Sequence, residues 1–314
     1  MKYIKKKIKS VVVGTAYISG LARLFGSMNS QKLFCVGYHS IYDSKNKEKL
    51  WQDLYWNISL PVENFEEQLL FMKKNGHSFI HFSDLGRSDI KKLRKPTIVF
   101  FDDGFKDVLV NALPILKKYK IPATVFITTG LVEKTHFLWT LLMRRMLKGK
   151  VVKAEAEKKI LEMKKLSGKE REKKIHKMRG EYGFKRNNET PVFLDWKDVK
   201  LLVDHGVEIG SHGVSHEKMT ELSELELFNE LSASKAMLKG KIGEKVQSVS
   251  YPYGRYNEKV ENMATSCGYS YGVTTTSGWN RLEEVSKFPF RIKRVTPEPH
   301  DKLGSFAVKL YMNI

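Results

Sequence analysis

Two adjacent carboxylates, Asp102 and Asp103, directly follow an apolar run in the segment IVFFDDGFK, residues 98–106. A short run of β-branched and aromatic residues is typical of a buried strand. Adjacent carboxylates at the end of such a strand repel each other and resist burial unless a cation lies beside them or they take part in a reaction. The same residues also fit an ordinary strand-exit turn, because Asp and Gly are common in turns.

A pair of histidines, His212 and His216, follows another predicted strand in the segment EIGSHGVSH. Residues four apart on a helical turn lie on one face, so both imidazoles could reach one cation. With one aspartate of the Asp102-Asp103 pair they would form an Asp-His-His set, which keeps an open coordination position as catalytic zinc sites do. The other aspartate could then take a proton from water.

A third polar cluster, Tyr251-Pro252-Tyr253-Gly254, also follows a predicted strand. Such a turn can present a backbone N–H and an aromatic ring to a ligand, although a plain turn has the same sequence character. All three clusters therefore lie at the carboxyl ends of predicted strands.

Predicted strands and helices alternate along the chain, which indicates a parallel sheet with helices outside it. About seven such units without a GxGxxG motif favour a (β/α) barrel over a dinucleotide-binding sheet. A basic insert that is rich in predicted helix runs from about 136 to 186. In barrels of this kind the chemistry takes place at the carboxyl ends of the strands, where the three polar clusters fall.

The net charge of +20 is concentrated in two parts of the chain. Residues 1–10 carry five lysines and no acid, and residues 141–190 carry 17 Lys and Arg against 7 Asp and Glu. This distribution predicts contact of these segments with a membrane or a polyanion, while a solvated lysine-rich helix describes the insert equally well. Specific nucleic-acid binding is not expected, because the lysine-rich helices have little aromatic interleaving and no recognised module is present.

The N-terminal segment 1–30 has a basic start followed by a mostly apolar stretch. It predicts an amphipathic helix on an anionic membrane surface, with an atypical signal peptide as the alternative. We therefore expect a cytoplasmic protein that binds the membrane peripherally, or else an exported one. The apolar runs are too short to cross a bilayer, which needs about 20 residues. Residues 31–314 are predicted to form the catalytic domain.

The motifs FFDDGF, EIGSHGVSH and SYPYGRYN, in this order, resemble those of the polysaccharide deacetylase family, the NodB-homology domain of carbohydrate esterase family 4. The segments GYHSIYD and FPFRIKRV resemble the subgroup that deacetylates poly-N-acetylglucosamine, in which the barrel motifs are circularly rearranged. The resemblance covers about 33–310 except the insert. It implies a deformed (β/α) barrel of about seven parallel strands. It also implies a hydrolase that removes acetyl groups from an N-acetylated glycan or a lipid-linked sugar.

The resemblance also implies roles for individual residues. Asp102 would be the general base, and Asp103, His212 and His216 would bind a divalent metal. Zinc is the expected metal, and cobalt, nickel or iron would fit the same ligands. The backbone N–H of Tyr253 would help to stabilise the oxyanion.

The chain departs from the family pattern at three places. Gly213 replaces a hydroxyl residue that could brace the histidine loop, and Val249 replaces the arginine that orients the base. We expect Arg291 to supply that cation. The usual late histidine motif is absent, so the resemblance points to His39 as the general acid, with His300 as the alternative.

The sequence leaves a second function open. The chain could be a deacetylase-like barrel that has lost catalysis and binds anionic glycan, lipid or nucleic acid through its basic segments. Val249 and the missing histidine motif favour this alternative. The presence of Asp102, Asp103, His212 and His216 argues against it, because a purely binding barrel has no physical need for them.

Overall fold

The computed structural model describes residues 32–45, 58–132, 138–183, 192–243 and 245–312. The predicted N-terminal segment 1–30 lies outside these residues, as do both ends of the predicted insert. The described strands are β1 (Lys32–Tyr38), β2 (Ser40–Tyr42), β3 (Ser59–Pro61), β4 (Ser78–Phe79), β5 (Pro96–Phe101), β6 (Thr124–Ile127), β7 (Glu208–Ser211), β8 (Ser248–Ser250), β9 (Tyr271–Ser277), β10 (Asn280–Arg281) and β11 (Ile292–Arg294).

Parallel strands form a nearly closed barrel in the order β1-β5-β6-β7-β8-β9-β11. A bridge between Val36 and Val295 joins the first strand of this series to the end of the last. The Gly37 N–H donates to the Val295 carbonyl (2.9 Å), and the Val295 N–H donates to the Cys35 carbonyl (2.8 Å). The predicted deformed (β/α) barrel is therefore confirmed.

Side chains of the barrel strands alternate between the interior and the outer face, as the pleat of a strand requires. The interior set is Leu33, Cys35, Ile98, Phe100, Phe126, Val273 and Ile292. The outer set, which packs with the helices, includes Phe34, Val36, Val99, Phe101, Val125, Ile127 and Ile209. Gly37 makes room inside, since a Cβ there would lie 2.5 Å from the Phe100 ring. Apolar side chains therefore fill the barrel, and its polar groups collect at one end.

The described α-helices lie around the barrel, and three of them form the insert. They are α1 (Val62–Lys74), α2 (Leu113–Tyr119), α3 (Thr129–Val132), α4 (Trp139–Leu147), α5 (Lys153–Met163), α6 (Gly168–Glu181), α7 (Trp196–Asp204), α8 (Glu224–Ile242), α9 (Glu258–Ser266), α10 (Leu282–Lys287) and α11 (Leu303–Met312). None of them combines the length and apolar character that a bilayer-spanning helix needs.

The insert contributes α4, α5 and α6, which pack around an apolar cluster of their own. Its members include Trp139, Met143, Met146, Ile160, Met163, Ile175 and Met178. Many lysines of α6 and of the turn before it are exposed, so the outer face is solvated and basic. The sequence suggested this solvated face but gave no sign that the inner face reaches the barrel.

Candidate metal and catalytic site

Asp102 and Asp103 leave β5 at the carboxyl end of the barrel, as the sequence predicted. The Asp102 N–H donates to the Tyr38 carbonyl at 2.9 Å, which continues the pairing of β5 with β1. Asp103 has a φ of 73° and Gly104 a φ of 81°, so the chain turns sharply at this point. Asp102 is 1% exposed and Asp103 4% exposed, so both carboxylates are buried. Because of this turn, the side chains of Asp102 and Asp103 point in different directions, although the residues are adjacent in the chain.

Asp103, His212 and His216 bring their ligand atoms together. Asp103 Oδ1 lies 3.3 Å from His212 Nε2 and 3.2 Å from His216 Nε2, and the three ligand atoms all lie within 4.8 Å of one another. His212 Nδ1 lies 2.7 Å from the Ser250 carbonyl, which can only accept, so Nδ1 carries the proton and Nε2 has a free lone pair. A carboxylate and imidazole lone pairs that face one point fit a divalent cation.

The segment between the two histidines is a loop and not the predicted helical turn. Gly213 has a φ of 76° and His216 a φ of 59°, which no regular helix contains. Glu230 of α8 accepts the Val214 N–H at 2.7 Å and the Ser215 N–H at 3.1 Å. These hydrogen bonds brace the loop, which the hydroxyl residue expected in place of Gly213 would otherwise do. The carboxylate also leaves no room for a side chain at Gly213, because a Cβ there would lie 2.8 Å from Glu230 Oε2.

Arg294, and not the predicted Arg291, is the cation beside Asp102. The Arg294 guanidinium donates to Asp102 Oδ2, and its side chain is 6% exposed. Arg291 is 47% exposed and pairs with Glu261 on α9, with Nε 2.7 Å from Oε1. Ile292 points into the barrel, so Arg294, two residues on, does the same, while Arg291 points outward. The expectation for Arg291 was wrong because it ignored this alternation.

His39 lies beside Asp102 because β1 and β5 run in register. Tyr38 pairs with Phe101, so the next residues of the two strands are neighbours. His39 Nε2 lies 3.8 Å from Asp102 Oδ2. Burial lowers the pKa of His39, and the nearby carboxylates only partly oppose this shift. The alternative, His300, is exposed.

Both aspartates are ionised at neutral pH despite their burial. Burial alone would raise the pKa of Asp102, but the Arg294 guanidinium, together with His212 and His39, outweighs burial and holds that pKa below the ordinary value. Burial likewise opposes ionisation of Asp103, but the imidazoles of His212 and His216 beside it outweigh burial and hold its pKa well below its usual range. Two charged carboxylates are therefore available side by side.

The insert packs against Tyr253, a contact that the sequence analysis missed. Tyr253 has a φ of 58°, and its ring centroid lies 4.9 Å from that of His216. The Trp139 Nε1–H of α4 donates to the Tyr253 hydroxyl at 2.8 Å. The Arg171 guanidinium lies 4.9 Å from the Trp139 ring centroid and also pairs with Glu217, the residue after His216. The insert is thus held against the site by two contacts, one with Tyr253 and one with Glu217.

The polysaccharide deacetylase family model matches residues 89–272, which are more than half of the chain. This chain belongs to the polysaccharide deacetylase family. The matched range contains all three motifs. His39, which directly follows β1, and Arg294, the last residue of β11, lie outside it, and these two strands adjoin where the barrel closes. The resemblance drawn from the sequence is therefore confirmed.

Relatives and solved structures agree with this assignment. The poly-β-1,6-N-acetyl-D-glucosamine N-deacetylase of Staphylococcus aureus (strain MRSA252) is 25% identical over 247 residues, which are 78% of this chain and 66% of that protein. The Streptococcus pyogenes deacetylase PplD in complex with acetate has a TM-score of 0.62 at 21% identity, covering 90% of this chain and 99% of that one. IcaB from Ammonifex degensii has a TM-score of 0.59 at 20% identity, covering 89% and 97%. The two structural likenesses show a shared fold.

A cavity of about 150 Å³ opens over the site. The barrel supplies Asp102, Asp103, His212, His216 and Arg294 to its wall, together with His39, Tyr251, Tyr253 and Thr275. Ile58 lies at its edge, and the insert adds Leu138, Thr140, Arg144 and Lys164. His39 therefore faces the cavity that the other site residues share, while His300 does not line it.

Asp107 is a further buried carboxyl, beneath β2. It is 4% exposed; the Ser40 hydroxyl donates to its Oδ2, and the Ser59 hydroxyl donates to the Ser40 oxygen at 2.8 Å. Burial raises the pKa of Asp107 to about 7, and hydrogen bonds from Ser40 and from nearby backbone only partly oppose this. The folded protein thus retains a proton that the unfolded chain releases above about pH 4.

Asp107→Asn is expected to remove part of the pH dependence of stability. Because Asp107 binds its proton more tightly in the folded protein, this proton adds to the free energy of unfolding. The added stability is complete below about pH 4 and is lost as the pH rises through about 7. Between about pH 5 and about pH 8, the free energy of unfolding should fall by about 2–3 kcal/mol more in wild type than in the variant. Urea denaturation with a chelator present, which removes pH-dependent metal binding, measures this. Asp204→Asn, an exposed aspartate of α7, should follow wild type. Equal pH dependence of Asp107→Asn and wild type would contradict the raised pKa.

Proposed function

We propose that this chain is a metal-dependent N-deacetylase that hydrolyses the acetamide of an N-acetylated amino sugar in a glycan and releases acetate. The observation that carries this proposal is the convergence of Asp103, His212 and His216 at a buried point beside Asp102. A barrel that only binds glycan would gain nothing from burying two carboxylates against two imidazoles, so the alternative of a binding protein is not favoured.

The family and the names of the relatives support this substrate class. The Staphylococcus aureus relatives are named for poly-β-1,6-N-acetyl-D-glucosamine, so an N-acetylglucosamine polymer is the first substrate to test. A lipid-linked amino sugar is the second. It would agree with the proposal that the basic segment 1–30 binds an anionic membrane surface from the cytoplasmic side, or serves in export.

Asp103, His212 and His216 would hold the metal, for which we propose zinc, with cobalt, nickel or iron as alternatives. When bound, a divalent cation polarises the acetamide carbonyl and lowers the pKa of the attacking water. The Ser250 carbonyl keeps His212 in the tautomer that offers Nε2 to the metal.

Asp102 would act as the base in the hydrolysis. Its ionised carboxylate takes a proton from the water as the water oxygen bonds to the acetamide carbon. The negative charge that develops on the acetamide oxygen is stabilised in part by the Tyr253 N–H. Because Arg294 keeps Asp102 ionised, the base is ready at neutral pH.

His39 would act as the acid. As the carbon–nitrogen bond breaks, the amine nitrogen takes a proton and leaves as the free amino sugar, with acetate as the other product. His39 lines the cavity beside Asp102, with its Nε2 3.8 Å from Asp102 Oδ2, so its imidazole is placed next to the proposed base in the cavity where the amine would leave.

Acetate release before and after chelation tests the proposed function. Wild type should release acetate from N-acetylglucosamine oligomers, lose activity on treatment with a chelator and regain it with zinc, cobalt, nickel or iron. Asp102→Asn should bind metal normally and lower kcat by about 100- to 10,000-fold, the usual contribution of a general base. Asp204→Asn is the control on the surface. Metal binding without acetate release from any N-acetyl sugar would contradict deacetylation, and absence of metal binding would favour the binding protein.

A further inference from the structure

The insert gives the catalytic cavity a cationic wall. Arg144 of α4 and Lys164, which directly follows α5, line the same cavity as Asp102 and His212. These two cations belong to a segment that packs around its own apolar cluster, separate from the barrel core. The barrel fold does not require them, so their place in the cavity needs another explanation.

Arg144 already has a partner within the protein. Its side chain is 8% exposed, and its Nε and a terminal nitrogen donate to the two oxygens of Glu157 at 2.8 and 3.1 Å. Such a bidentate ion pair holds the guanidinium in place and neutralises its positive charge. Arg144 therefore shapes the wall and adds little net charge to it.

Lys164 differs from Arg144 in this respect. It is half-buried, and in the part of the chain that the structure describes no carboxylate forms an ion pair with its ammonium. Glu157 attracts it, but both Glu157 oxygens accept from Arg144. Burial lowers the pKa of Lys164, and the charge of Arg144 lowers it further. A cation in this position costs free energy in the free protein, which an anionic ligand would offset.

The other charges in the cavity determine where an anion could bind. Asp102 and Asp103 carry negative charge at the base of the cavity, and Arg294 is committed to Asp102. The proposed metal would offset these carboxylates, and an anionic group on the substrate is attracted to the insert side, where Lys164 forms no ion pair among the described residues. An ammonium with three donors can bind either a phosphate or a carboxylate.

We propose that Lys164 binds an anionic substituent, a phosphate or a carboxylate, on the amino sugar whose acetamide enters the site. This inference rests on the proposed deacetylase function. It makes an anionic N-acetyl sugar a better substrate than a neutral N-acetylglucosamine oligomer. Lys164 is thus a specificity residue that the insert supplies.

The inference is tested by comparing Lys164→Met with Lys165→Met, an exposed neighbour on the same turn. The substrates are a neutral N-acetylglucosamine oligomer, N-acetylglucosamine 1-phosphate and N-acetylmuramic acid, so that phosphate and carboxylate are separated. Lys164→Met should lower kcat/KM for an anionic substrate by about ten-fold more than for the neutral oligomer, mainly through KM, as loss of a hydrogen bond to a charged group implies. Lys165→Met should retain the wild-type preference, and Lys164→Arg should retain part of it. Equal losses on neutral and anionic substrates would overturn the inference.

Binding separates failure of this inference from failure of the proposed function. If wild type releases no acetate from any substrate, the deacetylase function fails. Calorimetric titration with N-acetylglucosamine 1-phosphate still measures the anion site. Binding that is weakened about ten-fold in Lys164→Met and not in Lys165→Met supports the site. No binding to wild type, or equal binding to both variants, overturns it.

Discussion

Replacing Asp103 by asparagine is expected to remove the metal and to lower acetate release at least about 1000-fold, since the lost Lewis acid is worth several kcal/mol in the transition state. Asp103 Oδ1 lies between His212 Nε2 and His216 Nε2, at 3.3 and 3.2 Å. Without its negative charge, two neutral imidazoles are left to hold a divalent cation. A site of that kind has lost one of the three protein ligands that catalytic zinc requires.

Asparagine is the suitable replacement because of the backbone at this position. Asp103 has a φ of 73°, and Asn adopts such a conformation far more readily than most other residues. The fold should therefore survive, and chelated variant and chelated wild type should unfold at the same temperature. Metal content by mass spectrometry should fall from about one equivalent to near zero. Asp102→Asn, with the same change one residue earlier, should keep its metal. A variant of Asp103 that retains wild-type metal affinity would contradict the proposed ligand set.

Replacing Arg294 by methionine is expected to destabilise the protein by about 3–5 kcal/mol, because it leaves the buried Asp102 carboxylate without its cation. The pKa of Asp102 should rise, since burial then acts without the opposing guanidinium. The acid limb of the pH–activity profile should shift to higher pH, and activity at neutral pH should fall. Urea denaturation and a pH profile of kcat/KM measure the two effects.

Two controls separate the charge of Arg294 from its packing. Arg291→Met, three residues earlier, removes an exposed pair with Glu261 and should cost less than about 1 kcal/mol. The double variant Arg294→Met with Asp102→Asn removes both buried charges and should recover much of the lost stability. Equal effects of Arg291→Met and Arg294→Met on the pH profile would contradict the assignment of Arg294 to Asp102.

Much of the fold and of the candidate metal site could be predicted from the sequence, because the signals are local. Apolar runs such as residues 98–101 indicate buried strands, and Asp102 and Asp103 are placed at a strand end by the peptide bond itself. His212 and His216 are likewise carried to the same end of the barrel by β7. Parallel strands share one carboxyl end, so motifs far apart in the chain had to converge there.

The errors came from geometry that a motif does not encode. Arg294 is the last residue of β11 and Arg291 directly precedes the strand, so the two side chains point in different directions. The apolar Ile292 between them was the signal that could have identified Arg294 as the inward residue. The histidine spacing suggested a helical turn, but positive φ angles at Gly213 and His216 make it a loop that Glu230 holds from α8.

The sequence by itself determined the family, the strand ends that carry Asp102, Asp103, His212 and His216, and the basic character of the insert. Only the tertiary structure decided which arginine faces Asp102 and that Ser250 fixes the His212 tautomer. It also decided that Trp139 contacts Tyr253 and that Lys164 enters the cavity. The reason is physical: a local pattern records what each segment buries, while contacts between distant segments depend on how barrel closure and helix packing bring those segments together.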